Sequence, residues 1–141
     1  GREQRALPGA GGAVASWLLL SSPLECDCPV PGPARPIRTW IDPHGRTIRL
    51  YAADWYNHVL WFHPPMRRHL AWVQAAVEQP ELIYRDADRA DRECYYRGGL
   101  LRRRPGLLVK VVVDYSAGEA GRVVTAYPTD KPKGGETRLW P

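Results

Sequence analysis

The stretch Leu107-Leu108-Val109-Lys110-Val111-Val112-Val113-Asp114-Tyr115 decides the fold, together with Arg122-Val123-Val124-Thr125-Ala126-Tyr127 behind it. β-branched side chains are stiff at χ1 and fit a pleated surface. A valine run with almost no polar alternation predicts a strand buried on both faces, at the centre of a sheet. Gly118 and Gly121 mark a turn, so 122–127 is expected to return beside it as a hairpin partner. Lys110 is the exception in this run. A cation there is costly without a partner, so it either opens on a cleft or pairs with a carboxylate such as Asp114.

Working back from this strand, Arg102-Arg103-Arg104 sits in a connection punctuated by Gly98-Gly99 and Pro105-Gly106. Cys94 to Arg97 and Leu82 to Arg85 read as strands, separated by a polar loop over 86–92. Before Pro80, Met66, Leu70, Val73 and Val77 recur at three- and four-residue steps and predict one apolar helix stripe. That helix is expected to open at Pro64-Pro65, since proline is tolerated in a first turn, and to end near Gln79. A shorter helix is expected before it, with Asp54 as N-cap and its end near Phe62. Earlier still, Ile37–Ile41 and Arg46–Tyr51 flank Asp42-Pro43-His44-Gly45, with Pro and Gly where a type I turn prefers them. The order is hairpin, two helices, then three or four strands in a meander. It predicts an α+β fold over 37–141, the helices covering one face of a C-terminal antiparallel sheet and the other face left as a cleft.

Residues 1–36 read differently. Proline and glycine crowd them, as in a linker, although Val14 to Leu20 has the apolarity of a short docking helix or strand. The chain opens on Gly1 rather than Met, which fits a processed product or a piece of a longer protein. No run approaches the ~20 apolar residues of a membrane span, so no membrane partner is expected. The formal charge is +5 and the cations are nearly all Arg, whose planar fork grips phosphate in pairs. A nucleic-acid partner and a coding bias toward Arg explain this equally well. Cys26, Cys28 and Cys94 make no disulfide framework, and a lone C-x-C lacks the second pair of a zinc site.

An acidic-turn hairpin, Trp55-x-x-His58, His63-Pro64, the amphipathic helix, Pro80-x-x-Ile83, Tyr95-Tyr96 and the two valine strands follow one another in this order. Together they resemble the phage-associated barnase–EndoU–colicin–RelE-like nuclease domains, over about residues 37–141. The resemblance implies RNA cleavage without metal or other cofactor: a base takes the ribose 2′-OH proton, and the oxygen attacks phosphorus. The 5′-oxygen leaves with a proton from an acid, and a 2′,3′-cyclic end remains. Such a base and acid need pKa values near neutrality, which imidazole meets, while the phosphoryl charge needs positioned cations or hydroxyls.

His58 is the first candidate for this chemistry, the alternative being a packed histidine that orients its helix. His63 is either the acid partner or a cap on the helix C-terminus, where the dipole favours His⁺. Thr125 matches the family's final-strand threonine, which implies a phosphate-contacting hydroxyl. Tyr127 lies two residues on and either stacks on a base or packs in the core. Lys110, Arg97 and Arg85 are the candidates for stabilising charge. Arg102, Arg103 and Arg104 read as a solvated loop that guides RNA without reading sequence.

The chain departs from the family where its usual His-Pro-Glu becomes His63-Pro64-Pro65, which removes a carboxylate. The reading that follows is an endoribonuclease acting on tRNA or messenger RNA. It would be a toxin or phage-related effector, acting in the cytoplasm or delivered within a larger protein, with an acidic inhibitor or antitoxin as a second expected partner. The alternatives are a non-catalytic RNA-binding or protein-interaction module of the same fold, and a domain of a larger phage structural protein or polymorphic toxin.

Overall fold

The computed structural model describes residues 34–141. The expectations for 1–33, including the run at Val14 and the C-x-C at Cys26, lie outside the described residues. Seven strands form one mixed sheet: β1 (Arg38–Ile41), β2 (Thr47–Leu50), β3 (Leu82–Arg85), β4 (Arg92–Gly98), β5 (Leu108–Asp114), β6 (Gly121–Thr129) and β7 (Thr137–Trp140). Their spatial order is β1-β2-β6-β5-β4-β3-β7. With helices packed on the sheet, the fold is α+β, and Arg35–Pro141 form one unit.

The expected meander is present as β3-β4-β5-β6, all antiparallel, with β5 in the middle of the sheet. Every residue from Val109 to Asp114 is buried, as its composition requires. Two features correct the expected antiparallel sheet. The hairpin β1–β2 is part of it, with β2 running parallel to β6 through Ile48↔Gly121 and Arg49↔Arg122. The tail, whose Leu139-Trp140 carried no strand prediction, adds β7 beside β3. Neither pairing has a local signal, because both are set by distant partners.

The helices also differ from expectation. The first, α1, spans 52–62: α-helical at Ala52–Asp54 and Leu60–Phe62, with a π turn at Trp55–Val59 closed by Leu60 N–H bonding to Trp55 O. Asp54 is not its N-cap. The chain turns from extended backbone at Tyr51 straight into the helix, and the Asp54 carboxylate faces Arg122 instead. Pro64–Arg68 is a 3-10 turn rather than the start of the second helix, and α2 proper is Leu70–Glu78. Two consecutive prolines contribute no N–H, so the backbone tightens to i→i+3 bonds such as Met66 N–H to His63 O. The predicted stripe holds: Met66, Val73 and Val77 are buried, joined by Ala76.

One sheet face meets the helices. Trp40, Ile48, Leu50, Ile83, Tyr95, Val109, Val111, Val113, Val123 and Ala126 pack there against Trp55, Val59 and α2. The hairpin turn is tied to this core by a polar network. The Tyr95 hydroxyl donates to buried Asp42 at 2.7 Å, and Arg46 bridges Asp42 and Glu93. Among the described residues, the opposite face carries a small apolar cluster of Cys94, Tyr96 and Val112, with Leu82, Tyr84, Leu108 and Val124 beside it.

At Gly121, where β2 joins β6, an added Cβ would stand 2.4 Å from Val113 Cγ1 and 2.8 Å from Tyr115 Cε1. Gly121→Ala is therefore expected to destabilise the fold by about 1–3 kcal/mol through overpacking. A lower urea midpoint with unchanged slope would show it. A midpoint equal to wild type would contradict this packing.

Candidate active site on the open sheet face

Side chains alternate across a strand, so the register of β4, β5 and β6 arranges the open face in rows. Arg92, Asp114 and Arg122 form one row, Cys94, Val112 and Thr125 the next, and Tyr96, Lys110 and Tyr127 the third. A β-bulge interrupts β6 between the first two. Val112 pairs with Thr125 and Val113 with Val123, so Val124 has no partner and stands with Thr125 on the open side. Bulges re-aim side chains, often next to active sites.

Beyond Leu50 the chain leaves the sheet, and α1 lies along β6. Its apolar side, Trp55 and Val59, enters the core, while Asp54 and His58 turn toward the bulge. A cleft of about 210 Å³ results, lined by Asp54, His58, Arg92, Arg122, Val124 and Thr125. His58 and Thr125, expected from sequence to act together, thus meet at one opening. His58 sits in the π turn, a helix distortion frequent at functional sites.

His63 is the next neighbour. Its ring stacks on Tyr127, with centroids 4.6 Å apart and planes at 24°. Tyr127 lies about 7 Å along the strand from Thr125. Burial lowers the His63 pKa below the usual 6.5, and the charge of His58 lowers it further. Burial raises the Asp54 pKa, while Arg122 and His58 partly offset the rise.

His63 is therefore expected to titrate below 6.5 by NMR, and to move upward in His58→Asn, where the repelling charge is gone. The linked stability follows the same sign. As pH falls below 6.5 the unfolded chain binds the proton first, so stability drops until the pH passes the lower folded-state pKa. A His63 titration insensitive to His58→Asn would separate the two rings.

Sequence reasoning missed Arg92 and Arg122. Arg92 Nε bonds Asp114 at 3.0 Å and Arg122 Nε faces Asp54 at 3.3 Å. Each pair uses the Nε edge, and no other hydrogen bond among the described residues engages their terminal nitrogens. Both forks thus remain for a phosphate. Arg92 was hidden within a charge-rich loop stretch; only the strand register shows that it faces the cleft.

The other candidates fall elsewhere. Lys110 is buried on the open face and pairs with Glu136 at 2.7 Å, not with Asp114. Its ammonium also lies 5.6 Å and 5.7 Å from the Tyr96 and Tyr127 ring centroids. Burial opposes its charge, but the Glu136 hydrogen bond and the nearby Cys94 and Tyr96 outweigh that and raise its pKa. Arg97 and Arg85 stand on the helix-side rows. Arg97 pairs in register with Val109 and donates to Gln79 O at 2.8 Å, closing the end of α2; Arg85 is in register with Glu93. The strand period puts both across the sheet from Thr125, which corrects their expected phosphate role. Arg102, Arg103 and Arg104 are exposed in the β4–β5 loop, at the end of the sheet where Leu108 pairs with Thr129.

Two other groupings invite a ligand and are already satisfied from within. A larger cleft, about 470 Å³, is lined by Arg46, Asp91, Glu93 and Tyr115, but Arg46 is neutralised there by Asp42 and Glu93. Asp86, Cys94 and Glu136 bring three donor atoms within 4.8 Å of one another. The Lys110 ammonium takes the cation's place beside Glu136, and burial pushes the Cys94 thiol up to about 12, so it stays protonated.

Comparison with family models, with curated proteins and with solved structures returns no match.

Proposed function

We propose that this chain is a metal-independent endoribonuclease whose site is the cleft between α1 and the bulge of β6. One observation carries the reading: an imidazole from residue 58 and a hydroxyl from residue 125 line one opening, with two guanidinium forks beside them. The resemblance of the sequence to metal-independent nucleases asks for these group types.

The two histidines divide the proton work. His63, whose pKa is lowered, is neutral near pH 7 and suits the base, which reverses the acid role expected for it. His58 is exposed, lines the cleft beside the Asp54 carboxylate, and takes the acid role. The base removes the 2′-OH proton, O2′ bonds to phosphorus, the P–O5′ bond breaks, and the acid protonates O5′. Thr125 and the terminal nitrogens of Arg92 and Arg122 stabilise the phosphoryl oxygens. Substrates of this kind include tRNA and messenger RNA.

The test is cleavage of a labelled RNA by the purified chain in EDTA. New 3′ ends should be 2′,3′-cyclic phosphates, and a 2′-O-methyl group at the scissile position should block cleavage. RNA left intact, or cleaved equally with the 2′-O-methyl group in place, would reject the mechanism. Intact RNA that is nevertheless bound would favour the non-catalytic module.

A further inference from the structure

We infer that unpaired nucleobases of single-stranded RNA stack on Trp61 and Phe62, beside the cleft. This rests on the reading of the cleft as an RNA site and adds which form of RNA it accepts. An exposed aromatic ring offers a large apolar face to a partner that covers it. In α1, Trp61 is 76% exposed, Phe62 62% and Tyr56 60%, while Trp55 and Val59 of the same helix are sealed in the core. The helix thus leaves these rings in solvent while its core contacts come from Trp55 and Val59.

Three observations identify the occupant. The Phe62 ring touches His58, with centroids 5.0 Å apart, so Phe62 adjoins a residue that lines the cleft, and Trp61 precedes it in the chain by one position. The 3-10 turn that follows directly exposes Arg67 and Arg68, and among the described residues neither forms an ion pair. Exposed aromatic faces, followed along the chain by guanidinium groups with no ion-pair partner among the described residues, suit a polyanion carrying planar bases, and stacking on such platforms is sequence-tolerant. Bases paired within a duplex cannot present their faces, so the platform selects single strands.

The experiment measures binding apart from cleavage. The full chain is titrated into a labelled 2′-O-methyl single strand, which lacks the attacking hydroxyl, and into the same strand as a duplex. The wild type is expected to bind the single strand at least ten-fold more tightly than the duplex. Trp61→Ala with Phe62→Ala should weaken single-strand binding by ten-fold or more, with unchanged melting because both rings are exposed. Arg67→Ala with Arg68→Ala should lessen its dependence on salt.

Equal affinity of wild type and the aromatic variant overturns the inference, as does a duplex bound as tightly as the single strand. Self-association of the wild type that the aromatic variant abolishes, without RNA binding, would assign the patch to a second copy of the chain. Stacking-dependent binding with no cleavage of ordinary RNA would retain the platform and reject only the endoribonuclease.

Discussion

His58→Ala is expected to lower RNA cleavage by about 10²–10⁴-fold, the usual worth of a positioned acid or base. Folding should be spared, because His58 is exposed and its ring contact is with Phe62 on the surface of the same helix. Thr125→Ala is expected to cost about 10²-fold by removing a donor to the phosphoryl oxygens. The two losses should not simply add, since both groups act on one transition state. The pH profile distinguishes the histidines. His63→Asn should remove the acid limb of kcat/KM, because that limb reports the base losing its neutral form. Wild-type rates in His58→Ala and Thr125→Ala would show that the cleft is not where cleavage occurs.

The second large effect concerns stability. Lys110 and Glu136 are 4% and 0% exposed at the side chain and meet at 2.7 Å. The other carboxylate oxygen of Glu136 accepts from Tyr96. Glu136→Ala strands a buried ammonium and is expected to cost about 3–5 kcal/mol. Lys110→Met combined with Glu136→Leu removes both charges and should recover most of that loss, since paired buried charges seldom outperform packed hydrocarbon. The raised Lys110 pKa gives the matching pH dependence. The pair's contribution is complete below the unfolded value of 10.5 and is lost as pH rises through the higher folded value. Chemical denaturation of the wild type, Glu136→Ala and the double variant measures the loss and its recovery. A double variant as unstable as Glu136→Ala alone would mean that the charges are not what holds this region together.

Lys110 also shows where sequence reading stops. Its place in an apolar strand announces an unusual cation, and the two outcomes allowed were a phosphate contact or a carboxylate partner. The partner is a carboxylate, but it lies 26 residues away, beside a strand that sequence did not signal. Arg97 and Arg85 illustrate the same limit. Their chemistry suits phosphate, yet a strand's two-residue period sends them to the helix side. Arg92 follows that rule to the opposite result and reaches the cleft. Asp54 read as a cap because caps are local; in the fold it answers Arg122, which arrives on β6.

By itself the sequence determined the hairpin turn at Asp42–Gly45, the apolar stripe of α2, the meander of β3 to β6 and the central, doubly buried place of β5. Turn chemistry, helical spacing and β-branching act among neighbours and need no knowledge of the remainder. Tertiary structure alone decided that β2 lies parallel to β6, that β7 adds to the far edge, and that α1 runs beside the bulge. Those arrangements bring His58 to Thr125 and tie Lys110 to Glu136. Pairing between distant segments is chosen by burying the most apolar surface in one consistent register, a property of the whole chain rather than of any stretch of it.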